Sequence, residues 1–176
     1  AKWGDKPAML YPSGKEFLPI SYTDLAKRVR SYCGVLRGLG LERGDRVALQ
    51  SESCVEWALL DWSCQCLGIC LVPIYPTLPP DQTQYIVHDS GAKVVVASND
   101  EQAKKTQDMP GLQHLLLKGT PESLAGRAEA NPDAMSESDW NAAIDQVSTD
   151  DIATFIYTSG TTGNPKGAVL AHRTFM

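Results

Sequence analysis

The sequence predicts an α/β fold: a mostly parallel sheet flanked by helices, with a small antiparallel hairpin near the N-terminus. Three observations carry this expectation. Short runs rich in Val, Ile and Leu alternate with segments of helical periodicity. The 176 residues match one ordinary domain. A composition of 43% hydrophobic and 21% charged residues can build a core, which excludes disordered and collagen-like chains.

Met9-Leu10-Tyr11, the turn Pro12 to Lys15, and Glu16 to Ile20 read as two short strands around a turn. From Thr23 to about Leu39, Leu25, Val29, Tyr32, Cys33, Leu36 and Leu39 form one helical stripe, closed by Gly38 and Gly40. Arg46 to Gln50 predicts a strand, and Ser53 with Glu56 predicts a capping box for a helix carrying Trp57, Leu60, Cys64 and Leu67. Cys70 to Tyr75 is a further strand, weakened by Pro73. Pro80 opens a helix over Asp81 to about His88, and Asp89-Ser90-Gly91 ends it.

Lys93 to Ala97 is the clearest buried strand, with a short polar helix expected from Asp100 to Gln107 and another strand from Leu112 to Leu117. Gly119 to Ser138 is polar, contains Gly and Pro, and reads as a loop. A short helix near Asp139 to Val147 leads to a strand from Asp151 to Tyr157, which should deliver a Gly-rich turn at the carboxyl end of the sheet. Gly167 to Leu170 reads as the returning strand, and His172 to Met176 as the start of a helix. No internal repeat accompanies these units.

The net charge of −5 disfavours broad nucleic-acid or anionic-membrane binding, while leaving room for a small positive pocket. There is no stretch approaching the roughly 18 apolar residues of a spanning helix and no secretory segment at the start, so a cytoplasmic location is expected. Peripheral membrane association through other regions stays open. Cys33, Cys54, Cys64, Cys66 and Cys70 are an odd number in apolar surroundings, which favours reduced, packed thiols over a metal or redox site.

The segment Tyr157-Thr-Ser-Gly-Thr-Thr-Gly-Asn-Pro-Lys-Gly167 carries the strongest chemical signal. Gly160 and Gly163 permit close backbone approach, the hydroxyls of Ser159, Thr161 and Thr162 can donate to phosphate oxygens, and Lys166 supplies positive charge. An ordinary Gly/Thr loop with a solvent-facing lysine is the alternative. The common P-loop is excluded, because Pro165 precedes Lys166 and Gly167 stands where that motif needs Ser or Thr.

This string, followed by Ala168-Val-Leu-Ala-His-Arg173, resembles the signature loop of AMP-forming adenylate enzymes. Arg46 to Leu49, Gly68 to Pro76 and Leu78 to Asp81 further resemble long-chain fatty acyl-CoA synthetases within that superfamily. The resemblance implies the N-terminal subdomain of an adenylation domain. Residues 1–176 are then the N-terminal portion of a large AMP-binding domain, completed by the remainder of the same polypeptide and a mobile C-terminal domain. It implies ATP, a fatty acid and coenzyme A as substrates, an acyl-AMP intermediate, and Mg2+.

By the same resemblance, Thr158, Ser159, Gly160, Thr161, Thr162, Gly163 and Lys166 bind the nucleotide phosphates. Thr158 is the catalytic and magnesium-shell candidate and Lys166 the catalytic phosphate-neutralising one. His172 is the acyl-side candidate, with helix packing and proton transfer as its alternatives; His88 and His114 are poorer choices. Tyr157 is expected to support the loop by packing, and Trp57 and Trp62 to be helix-core or interface aromatics. The chain alone is expected to be inactive, lacking the family's later adenine, magnesium-carboxylate and ribose-binding segments. A short-chain or aryl acid ligase, or a non-catalytic nucleotide- or partner-binding fragment, are the competing readings.

Overall fold

Apolar residues alternate along the central strands so that each strand serves two cores, and the helices divide between the two faces accordingly. The computed structural model describes residues 3–158 and 163–175. Strands β1 (Pro7–Ser13) and β2 (Glu16–Ser21) form the antiparallel hairpin. Helix α1 (Tyr22–Gly38) follows directly, its first turn capped by Ser21, whose hydroxyl accepts the Asp24 amide at 3.1 Å.

The main sheet contains β3 (Arg46–Gln50), β4 (Cys70–Ile74), β5 (Val94–Ala97), β6 (Gln113–Leu116), β7 (Ile152–Thr158) and β8 (Lys166–Ala171). Its order is β6-β5-β3-β4-β7-β8; β8 runs antiparallel to β7 and every other pairing is parallel. Val47, Leu49, Leu71, Val94 and Val96 join the core shared with α1, α2 (Val55–Leu67) and α5 (Leu124–Ala130). The alternate residues Ala48, Cys70, Val72, Ile74 and Val95 join Ile86 and Val87 of α3 (Pro80–Ser90) in the second core.

Helices α2 and α3 each end on a glycine with φ of 63°, Gly68 and Gly91, where a side chain would be strained. Pro80 occupies the first turn of α3, where its missing N–H costs no hydrogen bond. Pro73 does lie within an inner strand, but the β4–β7 pairing is confined to Leu71 and Thr154. The missing amide therefore interrupts no longer ladder on that side. Arg43 clamps the base of the sheet with two hydrogen bonds to Asp151, at 2.6 and 2.7 Å.

Three expectations change. The Ser53–Glu56 capping box does not form: Cys54 is the N-cap and its side chain makes no capping bond. Glu56 is instead paired with Lys118 at 2.8 Å, a stronger charge-assisted partner than a backbone amide. The stretch Gly119 to Ser138 is not one loop, for it contains α5 and the start of α6 (Glu137–Asp145), capped by the Ser123 and Ser136 hydroxyls. Burial of Leu124 and Ala128 stabilises α5 despite its weak periodicity. The polar helix after β5 shortens to α4 (Asp100–Ala103), and turns follow it.

Candidate functional site

Strand β7 leaves the carboxyl end of the parallel sheet at Thr158, and β8 returns beside it. Their register places Thr158 opposite Lys166, Tyr157 opposite Gly167 and Ile156 opposite Ala168. Directly opposed residues have Cβ atoms about 4.5–5.5 Å apart. A hydroxyl and an ammonium thus flank the neck of the Gly-rich turn, both exposed, and no described carboxylate pairs with Lys166. Ser159, Gly160, Thr161 and Thr162 lie outside the described residues. Gly163 has a φ of 103°, which suits glycine alone.

The neck is anchored by Tyr157, which is buried in the α3-side core. Its phenol donates to Asp89 Oδ2 at 2.7 Å. Burial, then this bond to a carboxylate, raises the Tyr157 pKa, so the group stays a protonated donor. Gly167 lies against the Tyr157 ring, where an added Cβ would approach Cζ to 2.9 Å. The glycine that departs from the P-loop pattern is therefore the residue that lets the anchor seat.

Two cavities adjoin the hairpin. One of about 280 Å³ lies at the turn, between Tyr75, Leu78 and Gln82 on one side and Ile156, Thr158 and Pro165 on the other. The second, of about 640 Å³, lies under the opposite face of β7, lined by Trp57, Trp62, Ile156, Leu170, His172 and Phe175. His172 opens a 3-10 turn (His172–Phe175), and its backbone N–H donates to the Asp151 carbonyl at 3.0 Å. Its Nε2 is buried without a hydrogen-bond partner among the described residues, leaving it able to meet a polar group entering the cavity.

The structure brings Thr158, Gly163 and Lys166 to one end of the sheet and sets His172 beside a separate apolar cavity. Trp57 and Trp62 line that cavity too, so they are not solely core residues. His114 is engaged elsewhere, its Nε2 at 3.0 Å from the Thr106 carbonyl. Sequence reasoning missed Asp89 as the partner of Tyr157, because nothing local links residues 68 positions apart. The five thiols are free. Cys33 is pushed up by its hydrogen bond to Cys66 and by burial, and Cys64 by burial. Among the described residues, no group of three or more His, Cys, Asp or Glu is placed to hold a metal ion, and no helix is long and apolar enough to cross a membrane.

The chain is 34% identical over 157 residues to the long-chain-fatty-acid–CoA ligase FadD15 of Mycobacterium bovis, covering 86% of this chain and 26% of that protein. It is 28% identical over 179 aligned residues to the crotonobetaine/carnitine–CoA ligase of Salmonella paratyphi A, covering 97% and 34% respectively. The chain thus spans between a quarter and about a third of the length of these curated relatives. Among solved structures, apo MatB from Rhodopseudomonas palustris superposes with a TM-score of 0.76 at 29% identity, over 96% of this chain and 32% of that one. The model of the AMP-binding enzyme family matches residues 1–176. With the Thr158–Lys166 neck at the carboxyl end of the sheet and a family match along its whole length, the chain belongs to the AMP-binding enzymes.

Proposed function

We propose that this chain is the N-terminal part of an ATP-dependent long-chain fatty acyl-CoA synthetase. The observation that carries the reading is the pairing of Thr158 with Lys166 at the neck of the turn. In the reaction, a carboxylate oxygen of the acid attacks the α-phosphorus of ATP and the bond to pyrophosphate breaks, leaving acyl-AMP. The thiol of coenzyme A then attacks the acyl carbonyl and AMP departs. Lys166, with hydroxyls and amides of residues 158–163, neutralises and orients the phosphates, stabilising charge as pyrophosphate leaves.

The Thr158 hydroxyl fits a hard cation as one oxygen ligand among phosphate oxygens and water, the mixed shell that Mg2+ favours. When bound, Mg2+ supplies charge neutralisation at the phosphates. Thr158, the last residue of β7, is the residue of that strand that would hold the ion. On the acyl side, the apolar cavity with Trp57, Trp62 and Phe175 suits a hydrocarbon chain, with His172 Nε2 as its polar contact. The 34% identity to a long-chain ligase supports this acid class.

The intact protein should catalyse acid-dependent ATP–pyrophosphate exchange, and Lys166→Ala should slow it roughly 10²–10³-fold, as for loss of one charge-stabilising donor. Absence of exchange with any carboxylic acid sinks the reading. Residues 1–176 alone should make no acyl-CoA, since the positioned groups must surround the transition state together. The relative acting on crotonobetaine and carnitine favours a second reading, a ligase for a short acid. A panel of acids from short to long chain decides between the two by relative kcat/KM. If calorimetry finds ATP binding that Lys166→Ala abolishes, yet no acid supports exchange, the chain is a nucleotide-binding unit.

A further inference from the structure

The loop between β4 and α3 makes little backbone hydrogen bonding of its own among the described residues. Pro76 and Pro79 have no amide to donate, and the bond from Leu78 N–H to the Tyr75 carbonyl, 3.1 Å, closes a single turn. Side chains from distant segments complete the structure. Lys105 Nζ, beyond the end of α4, donates to the carbonyls of Pro76 at 2.7 Å and Leu78 at 2.8 Å. The Lys105 backbone is itself held, because Gln84 Nε2 of α3 donates to its carbonyl at 2.8 Å. Gln50, fully buried at the end of β3, donates to Thr83 Oγ1 at 3.1 Å and reaches the Tyr75 carbonyl at 3.4 Å.

This loop is the wall that faces Thr158 and Pro165 across the 280 Å³ cavity at the Gly-rich turn. We propose that Lys105 is a positioning residue for the nucleotide side of the site, acting by fixing the Tyr75–Leu78 wall opposite Thr158. An ammonium suits the task, because it has three donors and no acceptor and can take two carbonyls at once. Its effect is on ligand capture: a wall free to move leaves the phosphate loop intact but enlarges the space in which the nucleotide must be held. This inference rests on the reading of the turn as nucleotide-binding.

The test uses acid-dependent ATP–pyrophosphate exchange by the intact protein with Lys105→Met and Lys105→Arg. Removing the donors should raise KM for ATP at least fivefold with kcat within twofold, and K105R should restore KM to within twofold. A folded K105M protein with unchanged KM for ATP overturns the proposal, as does a rise confined to KM for the acid. A purely structural role would lower the active fraction, and so kcat, without moving KM. Lys105→Gln replaces K105M if the latter does not fold. If the unsubstituted protein shows no exchange, the proposed function fails, and the tether is judged separately by hydrogen–deuterium exchange. The Leu78 amide, bonded to the Tyr75 carbonyl, should then exchange at least fivefold faster in K105M and unchanged in K105R; equal rates overturn the tether.

Discussion

The middle of the sheet and its β7–β8 edge are built on opposite terms. In β3, β4 and β5 nearly every residue is buried, since helices cover both faces. In β8 the first four residues are exposed, and β7 is mixed, with Ile152, Ile156 and Thr158 exposed and Ala153, Thr154 and Tyr157 buried. Stability therefore resides in the centre, and the chemical loop hangs from a thinly covered hairpin. The hairpin stays in place through a few specific attachments: Tyr157 to Asp89, Gly167 under the Tyr157 ring, and Asp151 to Arg43.

The sharpest way to break this contrast is to truncate one apolar side chain in each region. Leu60→Ala, at a fully buried position of α2, should cost about 2–5 kcal/mol in urea denaturation. Val169→Ala on β8, 59% exposed, should cost about 0.5 kcal/mol or less. Equal losses would show that the hairpin is as load-sharing as the centre.

A smaller effect tests the anchor. Gly167→Ala forces the Tyr157 ring or β8 to move and should destabilise by about 1–3 kcal/mol, the usual cost of overpacking. Tyr157→Phe removes only the bond to Asp89, and should cost about 0.5–1.5 kcal/mol. Should Gly167→Ala be neutral, Tyr157 does not hold the hairpin.

The smallest effect is in acid. The Arg43 guanidinium, hydrogen-bonded to Asp151, is the main cause holding that carboxyl below its ordinary range. A lowered folded-state pKa stabilises the fold above the unfolded value of about 3.9, and the contribution is lost as pH falls through the folded value. Urea midpoints should therefore decline as pH drops below about 5 toward the folded-state pKa of Asp151. Arg43→Met should reduce that decline, whereas an identical pH profile would remove Asp151 from the list of attachments.

Strands and the larger helices were legible because periodicity is a local property. Val94 to Ala97, Arg46 to Gln50 and the Pro80-to-Gly91 helix follow from residue order and end signals. Helix α5 was not legible: its apolar face is Leu124 with small alanines, too weak a pattern without the core that buries it. The capping box failed because Glu56 met Lys118, 62 positions away. Residue type alone singled out Gly163, Lys166 and Thr158, and the register sets the last two opposite each other, whereas Lys105 gave no signal, since a lysine aimed at carbonyls looks like any surface lysine in one dimension.

By itself, the order of residues determined the α/β alternation, the Gly-rich turn between two strands, and the family to which such a turn points. Only the tertiary structure decided that Thr158 stands opposite Lys166, that Gly167 makes room for Tyr157, and that Lys105 secures the facing wall. Local backbone preferences and apolar periodicity act over a few residues and survive in the sequence. Pairings across a sheet and hydrogen bonds across a cavity depend on which distant segments the burial of apolar surface brings together.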